Sequence, residues 1–492
     1  MPQQLVGVRP RLVILSLAAL VASSASAQAQ SAAASGKIPI TTSSNSARQL
    51  YLKGRTLAEN LRAQDSREFL TQAVSQDPGM AVAHYSLALS APTAKEFFQH
   101  LKQAVALADK ASDGERLMIL GLQAGANADP KSQREYYERL VSAYPRDERA
   151  HFLLGGAYFG QQKYDKAIEE YQRSVELAPD YAPAYNILGY ARRANGQYDQ
   201  AEAAFKKYIA LIPNDPNPYD SYAELLMKMG RFDQSIAMYR KALATDPHFA
   251  NSRFGIASNL MFQGKHDEAR AELWKLHQVA RNDGERRTAL FAAAVVYSDE
   301  GKFEPALGEL KKEYAVAEKI DDDAAMAADL VAMGDVALEA GKVDEARKFY
   351  LSSLEKLERS DLSPEVKENA RLTHHYNLGR VALKSGDLAA AKEHAQAFTN
   401  GANAKNNTGE MLQAHELSGA IALEEKNYDQ ALRELQQGNQ QDPYTLYQIA
   451  LAYQRKGDEG KAKEYFSRAA DQNTLPTLNY AFVRAKAKRM KA

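Results

Sequence analysis

Residues 148–181 read ERAHFLLGGAYFGQQKYDKAIEEYQRSVELAPDY, and the next two stretches of equal length, 182–215 (APAYNILGYARRANGQYDQAEAAFKKYIALIPND) and 216–249 (PNPYDSYAELLMKMGRFDQSIAMYRKALATDPHF), repeat its punctuation in phase. Pro179, Pro213 and Pro247 are 34 residues apart, as are Gly196, Gly230 and Gly264, and Ala167, Ala201, Ser235 and Ala269 keep the same step. Within each period apolar residues recur every three or four positions in two blocks: His151, Leu154, Gly155 and Tyr158 in the first, Ala167, Tyr171 and Ser174 in the second. That spacing places each set on one face of an α-helix, so each period predicts two amphipathic helices. Neither helix buries its stripe alone. Small residues at Gly155, Gly189, Ala223 and Ala257 in the first helix, and at Ala167 and its equivalents in the second, let the two approach closely. Gly196, Gly230 and Gly264 suit the left-handed residue that ends a helix, Asp199, Asp233 and Asp267 are read as caps of the next one, and the prolines fall where a helix must stop.

Outward from this centre the phase loosens but persists. Upstream, Ala47 to Pro78 and Gly114 to Pro145 each accommodate one unit, and Met80 to Ser112 accommodates another, interrupted near Pro92. Downstream, the turn positions fall at Gly301, Gly341, Gly386, Lys426 and Gly457, steps that imply longer helices or longer turns. Eleven or twelve units are expected between Ala47 and Asn473. The organisation reads as degenerate units over 47–147, regular ones over 148–283, longer-period ones over 284–473, and a terminal helix with a basic tail over 474–492. Arg484, Lys486, Lys488, Arg489 and Lys491 in that tail read as solvated charge, with contact to an anionic surface as the alternative.

The three quoted runs resemble the tetratricopeptide repeat family, a 34-residue helix-turn-helix with small residues at the crossing, aromatic fillers and a closing proline. Arg192, where the first helix usually carries an aromatic, and the missing tryptophan depart from its pattern. The resemblance implies an all-α fold, an α-solenoid in which stacked pairs wind a right-handed superhelix and first helices line a concave wall. It further implies a protein-binding scaffold whose ligand contacts map onto Phe152, Phe159, Asn186, Tyr190, Arg193, Asp220, Glu224, Met227, Phe254, Met261 and Phe262. Each of these equally fits packing against a neighbouring unit. Aromatic and methionine side chains on such a wall suit apolar anchors of a peptide, with Arg193, Asp220 and Glu224 to orient it. The lysine and asparagine set that grips a C-terminal carboxylate in chaperone-binding relatives is not present as such. The alternatives kept are a structural part of an envelope or secretion assembly acting through its convex face and ends, and the regulatory arm of an enzyme complex.

The N-terminus reads as an export signal over 1–27: Arg9 and Arg11 precede an apolar run, Leu12 to Ala22, and Ala25-Ser26-Ala27 supplies a cleavage site. An apolar run this short falls below the roughly 20 residues a membrane-spanning helix needs, so no transmembrane segment is expected in the mature chain. Residues 28–46, small and polar, are expected to be a flexible linker. The expected destination is the periplasm, where such repeat proteins are common in bacteria, or the exterior. Lys+Arg and Asp+Glu both total 62 and there is no cysteine, which argues against nucleic acid as a partner and excludes disulfides and thiolate chemistry.

Motifs for chemistry are absent. No HExxH, glycine-rich phosphate loop or GxSxG elbow occurs, and the repeat register leaves no spare domain for an active site. No enzyme activity, cofactor or metal is therefore expected. His374, His375 and His394 are the nearest approach to a metal set, but neighbouring residues on a helix diverge by about 100°, so the three are not expected to converge. Asp321, Asp322 and Asp323 precede a helix and read as capping groups rather than a calcium loop.

Overall fold

The computed structural model describes residues 36–491. The expected signal peptide and the first part of the expected linker lie outside them. Among the described residues there are twenty-five α-helices, packed as twelve consecutive pairs and a final helix, Leu478–Lys491. The first seven pairs begin at Asn45, Ala81, Asp113, Glu148, Ala182, Asn217 and Ala250, the last five at Asp283, Asp323, Pro364, Thr408 and Pro443. The fold is an all-α solenoid. No helix among the described residues is long and apolar enough to cross a membrane.

The chain folds this way because each crossing sets a small residue of one helix against a bulky side chain of another. A Cβ on Gly189 would stand 2.7 Å from the Phe205 ring, and one on Gly155 would stand 2.6 Å from Tyr171. Ala223 and Ala257, at the same phase, are fully buried. The turn residues at Gly196, Gly230, Gly264, Gly301, Gly341, Gly386 and Gly457 all have positive φ, and Lys426 takes φ 62° in the same role. The longer downstream period is met by longer helices: Asp283–Asp299, Phe303–Lys319, Asp323–Glu339 and Val343–Arg359 are each 17 residues.

Three expectations need correction. Asp199, Asp233 and Asp267 do not cap: the capping positions are Gln197, Arg231 and Lys265, without side-chain caps, and each aspartate sits in the first turn, where it faces the positive end of the helix dipole. Asp233 accepts instead from Gln263 Nε2 at 2.9 Å, on the following pair. The second concerns the linker. From Lys37 to Thr42 it is packed in extended form against the first four pairs, with Ile38 and Ile40 on the apolar cluster around Tyr51 and Leu117. Third, the C-terminal basic residues are not all solvated: Arg484 is buried, whereas Lys488 and Arg489 are exposed. His375 and His394 meet Nδ1 to Nδ1 at 3.2 Å across the two helices of one pair, while the buried Nδ1 of His374 has no hydrogen-bond partner. Asp322 does cap, accepting from Ala325 N at 3.0 Å.

First helices of neighbouring pairs touch one another along the stack and form the inner wall. The coil is closed on itself. Gln64 in the first pair accepts from Asn282 Nδ2 at the start of the eighth (3.3 Å), Lys95 N in the second donates to Asp322 at the start of the ninth (3.0 Å), and Asn127 in the third meets Ser363 at the start of the tenth (3.4 Å). Each contact spans seven pairs, so seven pairs complete one turn and successive turns lie in hydrogen-bonding contact.

Candidate ligand-binding lumen

Inside the first turn lies a cavity of about 870 Å³. Its walls are the first helices of pairs one, two and four, presenting Tyr51, Tyr85 and Phe152, and the segments entering pairs seven and eight, presenting Phe249 and Arg281. Ile38, Pro39 and Ile40 also line it. Two leucines on its wall, Leu61 and Leu89, are 51% and 55% exposed. Leu61 reaches it from a turn residue with φ 58°.

The charges that line the cavity are largely paired to each other. Arg149 Nε and Nη2 hold both oxygens of Glu59, at 2.6 and 3.0 Å, while its guanidinium stacks 4.8 Å above Tyr181. Glu148 is bound by Lys37 and Arg149. Burial works against the charge on Glu148, but those hydrogen bonds and the neighbouring cations leave its carboxyl below the usual range. Burial pushes the phenols of Tyr85 and Tyr181 well above theirs. Neutralised walls with tyrosine, phenylalanine and leucine between them favour apolar side chains with a few polar contacts.

The extended segment 37–42 shows how this wall holds a backbone. Ile38 N donates to Asp147 Oδ2 at 2.8 Å and Thr41 N to Glu115 Oε1 at 3.0 Å, while Pro39 O accepts from Ser112 Oγ at 3.1 Å and Ile40 O from Arg48 Nη2 at 2.8 Å. Side chains of the repeats thus satisfy both donors and acceptors of a strand that has no sheet.

The residues named from the sequence fall into distinct places. Phe152 lines the cavity and packs edge-on to Tyr181 at 5.8 Å. Phe159 packs instead on Tyr164 of its own pair, at 5.5 Å. A polar cluster one level deeper joins the next five: Tyr190 Oη donates to Glu224 at 2.8 Å, Arg193 to the other Glu224 oxygen at 3.1 Å, and Ser252 Oγ to Asp220 at 2.6 Å, with Asn186 buried beside them. Burial, helped by the charge of Glu224, raises Asp220 well above the carboxylate range. Nearby Lys228 is pulled down to about 8 by burial and by Arg193. Met227, Phe254, Met261 and Phe262 lie in the core cluster that also contains the C-terminal helix. The residues missed were Tyr85, Leu89, Arg149, Tyr181 and Phe249, which meet only because the coil closes.

Fold and lumen together define a helical repeat solenoid with a cavity inside its first turn. Models of the tetratricopeptide repeat match residues 120–182, 170–203, 226–293, 372–397 and 443–473, and the chain is a tetratricopeptide repeat protein. Among solved structures it is similar to MamA (24% identity, 34% of this chain and 91% of that one, TM-score 0.28). It is also similar to TTC0263, a thermophilic TPR protein of Thermus thermophilus (23%, 44% and 98%, TM-score 0.29), and to YrrB, described as a TPR protein with an unusual peptide-binding site (19%, 37% and 93%, TM-score 0.25). No curated protein matches the chain.

Proposed function

We propose that this protein is an exported, non-catalytic adaptor that holds a segment of another protein in its lumen. The observation that carries the reading is the cavity of about 870 Å³, walled by aromatic residues and two exposed leucines and lined also by a segment of the chain itself held through its backbone. A photoreactive residue at Leu89 identifies the captured segment by crosslinking in the native compartment; a synthetic peptide of that segment is then titrated against wild type and Phe152→Arg. Saturable binding that weakens at least about tenfold in a Phe152→Arg protein of unchanged helicity is expected, since a buried charge without a partner opposes an apolar anchor. Equal binding by both proteins would move the site out of the cavity.

The export part of the proposal rests on the N-terminal sequence. Sequencing the protein recovered from the cell envelope should return a chain beginning at Gln28. A chain retaining Met1 in the cytosol would refute it.

A second reading, a structural component of an envelope or secretion assembly, is favoured by one observation. Trp274, the chain's single tryptophan, is 58% exposed on a second helix, stacked on His277. An exposed tryptophan suits the anchor of an interface. Crosslinks from Trp274 to a neighbouring protein, with none from Leu89, would favour this alternative.

A further inference from the structure

One polar contact between the two helices of a pair recurs along the coil. In the fourth pair His151 Nδ1 meets Glu170 Oε2 at 2.7 Å, in the seventh Arg253 Nη1 donates to Glu272 Oε1 at 2.8 Å, and in the eleventh His415 Nδ1 meets Glu434 Oε2 at 2.8 Å. Each partner lies 19 residues on, across the turn. In the tenth pair the same step joins His375 to His394, Nδ1 to Nδ1 at 3.2 Å, so an imidazole stands where the others carry a carboxylate. The second pair, whose first helix is only 9 residues, brings His84 and His100 together at 3.3 Å, again through both Nδ1 atoms.

A carboxylate stabilises a proton on its histidine, whereas a second histidine can share only one. When both rings are neutral, one donates its Nδ1–H to the other's bare Nδ1, and a single added proton leaves that bond in place. A second proton sets N–H against N–H and one positive ring against another. Burial lowers His84 and His394 below the ordinary histidine range, and the facing histidine adds to it. Burial and then Arg67 lower His100. At His151 burial is outweighed by the hydrogen bond from Glu170, and the ring is raised. Few other charges face these rings. Arg67, on the helix Ala63–Gln76, is paired with Glu96 beside His100; Arg347, on Val343–Arg359, and Glu393 stand near His394, with His374 alongside. A histidine lowered in the fold contributes stability that is lost as pH falls below its unfolded value of about 6.5, while the contribution of a raised one is complete there.

We propose that the second and tenth pairs are acid-labile joints of the coil, loosened when both members of His84–His100 or of His375–His394 are protonated, and that the histidine–carboxylate contacts of the fourth and eleventh pairs hold in the same acid. Their placement gives the loosening a consequence. The second pair presents Tyr85 and Leu89 to the cavity, and its Lys95 Nζ donates to Ile320 O at 2.9 Å on the adjoining turn. The tenth pair holds the third through Asn369 Nδ2 and Asn127 O at 2.7 Å. Acid therefore weakens a wall of the cavity and two of the contacts that close the coil. The joints belong to the coil itself and stand whether or not the cavity holds a protein segment.

Amide hydrogen exchange of the full chain near neutrality and at about pH 5, each corrected for the intrinsic pH dependence of exchange, tests this. Segments 81–107 and 364–405 should open at least about tenfold more often in acid, while 148–177 and 408–435 keep their protection. His100→Gln and His394→Gln remove one titrating ring each, and His394→Glu rebuilds the contact of the fourth and eleventh pairs. In each variant the acid effect should vanish at the altered pair alone. In the unaltered chain, an NMR titration of the histidine rings should show one ring of each joint taking up its proton below the ordinary range. Unchanged exchange at both joints, equal acceleration at the fourth and eleventh pairs, acceleration that survives the glutamine variants, or ordinary midpoints for all four rings would overturn the proposal.

Discussion

Arg484 and Asp299 are 185 residues apart in sequence and form a buried two-point ion pair, with Nε to Oδ1 at 2.6 Å and His266 Nε2 bound to the second carboxylate oxygen at 2.8 Å. Their side chains are 5% and 0% exposed. Removing one partner strands the other charge in the core, so Arg484→Met should cost about 3 to 5 kcal/mol in chemical denaturation at neutral pH. Burial alone would raise Asp299, yet the hydrogen bonds and charges of Arg484 and His266 hold its carboxyl below the usual range. A depressed folded-state value contributes stability above the unfolded value and loses it as pH falls through the folded one. The gap between wild type and variant should therefore narrow in strong acid. A gap independent of pH would show that packing, not charge, fixes the helix.

Turn conformation predicts a gain as well as a loss. Lys426 holds φ 62° where most of the equivalent positions carry glycine, so Lys426→Gly should stabilise by about 1 kcal/mol by relieving left-handed strain. Gly196, at φ 76°, has nothing within 4 Å of a built Cβ, so any loss in Gly196→Ala reflects backbone conformation alone. Matched melting curves of the two variants should shift in opposite directions.

At the crossings the constraint is steric. Gly189→Leu drives a side chain into Phe205, whose ring is 2.7 Å from a single added carbon, and should cost about 1 to 3 kcal/mol. An unchanged melting temperature would place the helix crossing elsewhere.

These crossings and turns were legible because they are local: a small residue and its ring lie within one period, and a turn glycine announces itself by position alone. The lumen was not, because its walls belong to pairs seven units apart and the pitch of the coil is set by small rotations that no single repeat spells out. The terminal helix with Tyr480 and Phe482 was expected to cover only the last unit, and Arg484 to be solvated, for the same reason: the partners of Arg484 stand 185 and 223 residues away. A periodic signal was present, aromatic and basic residues on alternate positions, but nothing local says what it faces. Ile38 and Ile40 carried a similar signal in two apolar residues amid polar ones.

Glu416 gives a pH test of the eleventh pair. Burial raises its carboxyl to about 7, with Asp442 adding repulsion and Asn439 N donating at 2.9 Å. A raised folded-state value for an acid means the folded protein binds more protons than the unfolded chain between the ordinary carboxylate range and neutrality. Stability from this site therefore falls as pH rises across that window, by about 3 kcal/mol at most. Glu416→Gln keeps an acceptor for Asn439 and removes the titration. It should raise the melting temperature at pH 8 and leave it unchanged at pH 4.

Asn407 separates helix capping from closure of the coil. Its Oδ1 accepts from Gly409 N and Glu410 N at 3.0 and 3.3 Å at the start of its helix, while its Nδ2 donates to Ala128 O at 2.9 Å on the neighbouring turn. Asn407→Asp retains the cap and turns the donor into an acceptor facing a carbonyl. Asn407→Ala removes both interactions, about 1 kcal/mol for the cap and a similar amount for the bond. If contact between turns holds the lumen closed, Asn407→Asp should accelerate amide exchange around Asn127 and Ala128 without fraying the helix Thr408–Glu424. Asn407→Ala should do both. Acceleration confined to the capped helix in both variants would mean that the turns are held apart or together by their apolar walls, with the polar contacts merely following.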